Sequence, residues 1–89
     1  MNPTELQALL KSGWHKTEII DEGDGNKTIF RGRCSLPSAT VNTDCWCINK
    51  TVIRVSGPTQ TIDELFAEGN MQFDKVWTQR ADYDYQYLI

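Results

Sequence analysis

The chain is 89 residues long, 39% hydrophobic and 10% aromatic, with a formal charge of -3 at neutral pH. That length makes one domain, and its aromatic content is enough for a compact core. The acidic balance and singly scattered basic residues speak against nucleic acid, which is met by clustered positive charge, and no apolar run approaches the ~18 residues of a membrane span.

Residues 2–12 read as a short helix. Asn2 suits the N-cap, Pro3 the first helical position, and Glu5 can reach back from the third. Leu6, Leu9 and Leu10 form one apolar stripe at helical spacing, and Gly13 stands where a helix stops. Two readings of this arm stay open: it docks on a partner, or it lies on the protein's own sheet. With no basic leader and only the Leu9-Leu10 pair as an apolar run, a signal peptide is not expected. The expected organisation is a helical arm over 1–13 and a β domain over 14–89.

"WHKTEII" and "KTIFRGR" read as strands joined through "DEGDGN", which is dense in turn formers, so a β-hairpin is expected. The acids in that turn lack the spacing of a calcium loop. A polar loop, "CSLPSATVNTD", precedes "CWCINKTVIRV", the longest apolar-rich run. Alternation places Trp46 and Ile48 on one side, toward the core, and Cys45, Cys47, Asn49 and Thr51 on the other. "SGPT" turns the chain. Residues 59–67 suit a helix start at Thr61 or a strand, and strand is chosen. "NMQFDKVW" carries Phe73, Val76 and Trp77 at helix-like spacing, which predicts one helical turn packed on the core. In "YDYQYLI", Tyr83, Tyr85 and Tyr87 alternate with polar residues, the cleanest strand period in the chain.

The residues lack the arrangements that carry catalysis. His15 is the single histidine and falls in a predicted strand, whereas nucleophilic catalysis needs a base beside the nucleophile. No phosphate cradle occurs. A zinc site needs about four N or S ligands. Cys34, Cys45, Cys47 and His15 are the whole supply, and the Cys-x-Cys spacing is short for it. The expectation is therefore no enzyme, no catalytic residue, no cofactor and no metal, with Cys45 and Cys47 as free thiols acting as small hydrophobes.

From Phe30 onward the chain resembles a family of short proteins of tailed bacteriophages. The likeness runs through Phe30 and Gly32, the loop Pro37-Ser38-Ala39-Thr40, and Trp46, Ile48 and Lys50. It continues through Ala67-Glu68-Gly69-Asn70 and ends on Phe73, Asp74, Val76, Trp77, Arg80 and Tyr83. It covers residues 29–87. Ser38 stands where a Gly is usual, Glu68 where an Asp is, and Thr78-Gln79 where the family is acidic. The resemblance favours strand for residues 59–67 and supplies no catalytic residues.

Composition, pattern and resemblance together predict an all-β fold with one short N-terminal helix, either a small sandwich or a partly closed antiparallel barrel. Trp46, Ile48, Phe73, Val76 and Trp77 should form its core, and Asp74 and Arg80 either form an ion pair or stand as two unpaired surface charges. Tyr85, Tyr87, Leu88 and Ile89 are the first candidate interface, by strand addition or side-chain docking; Leu6, Leu9 and Leu10 are the second. The resemblance implies a structural component of the virion, in the tail, neck or an appendage. It would be assembled in the host cytoplasm and bound to other virion proteins or to copies of itself. The other reading is an intracellular phage adaptor or inhibitor that binds a host protein.

Overall fold

The computed structural model describes residues 14–88. The expected N-terminal helix, with Leu6, Leu9 and Leu10, and the terminal Ile89 lie outside the described residues. Within them, the chain forms one open antiparallel sheet of six strands. The strands are β1 (Lys16–Gly23), β2 (Asn26–Cys34), β3 (Asp44–Ser56), β4 (Thr59–Ala67), β5 (Lys75–Val76) and β6 (Tyr85–Gln86). The spatial order is β1-β2-β3-β4-β6, with β5 paired to the start of β3. The sheet is neither closed into a barrel nor stacked on a second sheet. Its two end strands do not meet, and the segment after β4 is too short in regular structure to make another layer.

Two tight turns set the register. Asp24 and Gly25, at the centre of the β1–β2 turn, have φ of 56° and 83°. Positive φ at both central residues is the type I′ geometry, whose twist matches that of the flanking strands and which Asp-Gly adopts readily. At the β3–β4 turn Gly57 has φ of 57° and precedes Pro58. Proline fixes φ near -65°, so this turn has the II′ pattern, with glycine first. Residues 59–67 are strand throughout, as expected.

Antiparallel pairing sorts side chains onto two faces. One face carries Lys16, Gly32 and Ile48 in one row, then Glu18, Phe30, Lys50 and Leu65 in the next. The core sits here: Phe30, Trp46, Ile48, Ala67 and Trp77 are buried together with Cys45, and Tyr83 and Tyr85 pack against them. The Trp46 and Trp77 ring centroids are 5.7 Å apart. Trp77 opens a single 3-10 turn, Trp77–Gln79, so the predicted turn begins at the tryptophan and not before it. Val76 is half-buried.

Phe73, expected in this cluster, is 42% exposed. Residues 70–74 form no helix, so the three-residue spacing does not bring Phe73 onto the face occupied by Trp77. Lys75 is buried instead. Its Nζ lies 3.1 Å from Asn70 Oδ1 and 3.8 Å from Glu68, and is paired with Asp74. An ammonium out of water needs such partners, and meeting them sets the path of the segment and turns Phe73 outward.

The tyrosine period also yields less strand than expected, since β6 has only two residues. Each tyrosine is used differently. Tyr83 Oη accepts a 2.8 Å bond from Val76 N, Tyr85 Oη donates to Arg80 O at 2.5 Å, and Tyr87 Oη donates to Asp63 at 2.7 Å.

Gly32 is where the two tryptophans meet the sheet. A methyl added there would lie 2.7 Å from Trp77 and 2.9 Å from Trp46. Gly32→Ala gains at most ~1 kcal/mol of backbone entropy, but overpacking a core costs ~1–3 kcal/mol, and rigid indoles on both sides place this site at the upper end. A lower urea midpoint, followed by tryptophan fluorescence, is the expected result; an unchanged midpoint would mean that the indoles can shift aside.

Candidate functional site

Three places bring together side chains that could carry function: the second face of the sheet, the end where β4 meets β6, and the His15–Cys34 contact.

On the second face the rows run Thr17, Arg31, Asn49, Phe66; then Ile19, Ile29, Thr51, Glu64; then Asp21, Lys27, Ile53, Ile62. Half of this face is polar and closed. Asn49, which the sequence assigned to an outer side, is fully buried. Its Oδ1 accepts from Arg31 Nε at 3.0 Å and Nη2 at 2.9 Å. Its Nδ2 donates to Leu65 O at 3.0 Å and to Glu64 at 3.1 Å. Arg31 also pairs with Glu64 at 3.1 Å, and the Thr51 hydroxyl donates to that carboxylate at 3.0 Å. Every polar group in this network faces a partner on a neighbouring strand, so the network ties β2, β3 and β4 together. The other half is an oblique stripe of Ile19, Ile29, Ile53 and Ile62 lining a shallow groove of about 400 Å³.

The sequence places His15 in a strand, away from any nucleophile. The fold brings its Nδ1 to 3.4 Å from Cys34 Sγ, beside Ser35, Leu36 and Pro37. That nitrogen also accepts a 3.0 Å bond from the Cys34 backbone N–H. A base must offer a free lone pair to the proton that it takes, and this lone pair is already committed. The pair therefore holds the start of β1 to the end of β2. Cys45 and Cys47 are buried free thiols. Burial pushes the Cys47 thiol up, against the opposing pull of Lys75 and Arg33, which keeps it protonated and hydrophobe-like.

The third place is the molecule's β4–β6 end. Tyr85, a candidate contact residue, is half-buried with its ring 5.7 Å from Phe30; burial raises its phenol well above the ordinary value. Its ring therefore packs on the core. Tyr87 is 61% exposed, and Leu88 is exposed too. The loop after β4 is bonded to this segment through Glu68 N to Asp84 O, 2.7 Å, and it carries exposed Met71 and Phe73. Sequence pattern missed Met71 and Phe73 as surface groups, because the buried Lys75 that displaces them looks like any surface lysine.

The expected Asp74–Arg80 pair does not form. Arg80 grips Glu18 on β1 with two bonds, 3.0 and 2.6 Å. It also donates to Trp77 O at 3.2 Å and lies 4.9 Å over the Trp77 ring. Asp74 is bound to its neighbour Lys75. No helical turn links 74 to 80 to bring them together, whereas Glu18 lies next to Lys16 on the face that Trp77 covers.

Comparison with protein-family models, with curated proteins and with solved structures finds no match.

The Arg80 hydrogen bonds hold the Glu18 carboxyl below the ordinary carboxylate range, against an opposing effect of partial burial. A depressed acid stabilises the fold above its unfolded pKa, and that contribution is lost as pH falls through the folded value. The urea-midpoint gap between parent and Arg80→Gln should therefore be wider at pH 7 than at pH 3. Some gap should persist, since Arg80 also touches Trp77. Glu22, lowered chiefly by its bond from Thr28, adds an acid dependence common to both proteins. A gap that stays constant with pH would remove Glu18 from the account.

Proposed function

We propose that this chain is a non-enzymatic structural component of a tailed-phage particle, in the tail, neck or an appendage. It binds neighbouring virion proteins in several copies. The phage setting rests on the resemblance carried by residues 29–87. The observation that supports a binding role is that Met71 and Phe73 in the loop after β4, and Tyr87 and Leu88 after β6, are large side chains left exposed on a domain with a small core. Single exposed hydrophobes are ordinary, but two such pairs on segments joined by the Glu68 N to Asp84 O bond suit a contact surface. Tyr and Phe are also the types enriched where proteins meet. The polar clusters favour the same reading, because their hydrogen-bonding capacity is spent within the sheet. The reading involves no cofactor, nucleic acid or membrane.

Contact at this end uses side chains, with Tyr85 and β6 keeping their places in the fold. Phe73→Ser with Leu88→Ser should leave the unfolding free energy in urea within about 0.5 kcal/mol of the parent, as surface changes do, and should abolish incorporation into particles. Urea unfolding of the purified variant checks the first part, and quantitative mass spectrometry of purified particles the second. The parent should appear at a fixed copy number and the double variant should be missing. A parent absent from particles would refute the structural role; a variant present at full copy number would refute this surface.

A further inference from the structure

We infer that the isoleucine stripe on the second face of the sheet is the seat of the chain's own first thirteen residues, with Leu6, Leu9 and Leu10 laid across it. This inference is independent of the virion reading.

The stripe needs a cover. Ile19 is 61% exposed and Ile62 56%, and with Ile29 and Ile53 they line one continuous groove. A stripe of four isoleucines across four adjacent strands is a prepared apolar surface, unlike isoleucines scattered singly. Its borders are polar on both sides. Arg31, Asn49, Thr51 and Glu64 bound one corner, and the cross-strand partners Asp21 and Lys27 bound the other. An occupant must therefore be apolar along a narrow line and polar beside it.

The described chain starts at this face. Trp14 is half-buried, with the Arg31 guanidinium 4.9 Å from its ring centroid. Arg31 is the residue that borders the stripe, one row from Ile29. Trp14 thus stands beside the groove, and a cover that leads into it would need no long linker.

Length and pattern agree. Residues 2–12 as a helix would be about 16 Å long at 1.5 Å per residue. Four strands about 4.8 Å apart span about 14 Å. Leu6, Leu9 and Leu10 share one side of such a helix, a narrow apolar line, while Glu5, Gln7 and Lys11 stand off it beside the charged corners. An amphipathic helix with its apolar line on a sheet face is the common way to complete a one-sided sheet. It would turn an open sheet with one core into a three-layer domain, with the C-terminal segment on one side and the N-terminal segment on the other.

The test is methyl NMR on the full chain, selectively labelled at Leu and Ile methyls. Cross-peaks from Leu6, Leu9 and Leu10 to Ile19 and Ile62 are expected, unchanged on tenfold dilution. A mixed sample of differently labelled chains separates the occupants: if those cross-peaks arise only between chains, a second copy fills the groove and the proposal is overturned. Absence of any leucine–isoleucine cross-peak in a folded sample overturns it too. A variant with Leu6→Ser, Leu9→Ser and Leu10→Ser keeps the opposite core, so it should stay folded. It should show chemical-shift changes at the four isoleucines and gain binding of an apolar dye. Isoleucine shifts identical to the parent's would refute the assignment even if the cross-peaks proved hard to resolve.

Discussion

The packing of Trp46 and Trp77 over Gly32 is the contact on which the fold depends. A single antiparallel sheet of this size has a marginal core until something covers a face. The chain supplies that cover from its C-terminal third, which has little regular structure of its own. Trp77 is the part of that segment that fits only one place. Its ring lies against the bare backbone of Gly32 and beside Trp46, and a side chain at position 32 would hold it off. Once Trp77 is seated, the neighbouring contacts follow from short reach. Arg80 closes over the indole and meets Glu18, and Tyr85 comes down on Phe30 and ties its hydroxyl to Arg80 O. Phe30 and Gly32 are two apart on one strand and so share a face. That explains why an aromatic and a glycine occur at this spacing: one supplies bulk to the core and the other makes room for it.

β1, β2 and β3 were legible in the sequence because local chemistry determined them, whereas residues 59–67 suited helix or strand locally and Lys75–Val76 read as helical. Asp24-Gly25 and Gly57-Pro58 each permit few turn geometries, and alternation between them fixed the faces of β2 and β3. Trp46 and Ile48 were read as core from alternation along β3, and Trp77 from its helix-like spacing to Phe73 and Val76; all three are buried. What was not legible depended on distant partners. Asn49 reads as a weak point in a strand until Arg31 and Glu64, from the two neighbouring strands, supply its hydrogen bonds. Arg80 reads as the partner of nearby Asp74, whereas its acid is 62 positions away in sequence. Phe73 fails for a related reason. Its spacing to Trp77 has meaning only in a helix, and the buried ammonium of Lys75 selects an extended path. Alternation of the tyrosines was real, but it could not reveal that each ring ends on a different acceptor or partner.

The same division runs through the candidate site. The expectation of no catalytic residue was argued from residue types, and the fold adds a contact that residue types could not show, His15 beside Cys34. Geometry gives that contact a structural part, since the imidazole lone pair is engaged by a backbone N–H. Tyr87 and Leu88 were legible as exposed end residues. Met71 and Phe73 were not, and the loop that carries them is tied to the C-terminal segment by the Glu68 N to Asp84 O bond.

The edges of the sheet bear on how such a domain would meet its neighbours. Among the described residues, β1 pairs on one side alone, and β4 meets β6 only at Phe66 and Ala67. Open edges invite strand addition, and proteins resist it with charge and bulges. Both devices are present. β1 carries Lys16, Glu18, Asp21 and Glu22 and has a register shift between Asp21 and Gly23. The open stretch of β4 carries Asp63 and Glu64, one bonded to Tyr87 and the other held in the Arg31 network. A partner strand would have to displace Tyr87 from Asp63 to lie along β4, and would face acids at either edge. Side-chain contact through exposed residues such as Phe73 and Leu88 would avoid both costs, which is why the proposed contact is docking and not strand addition.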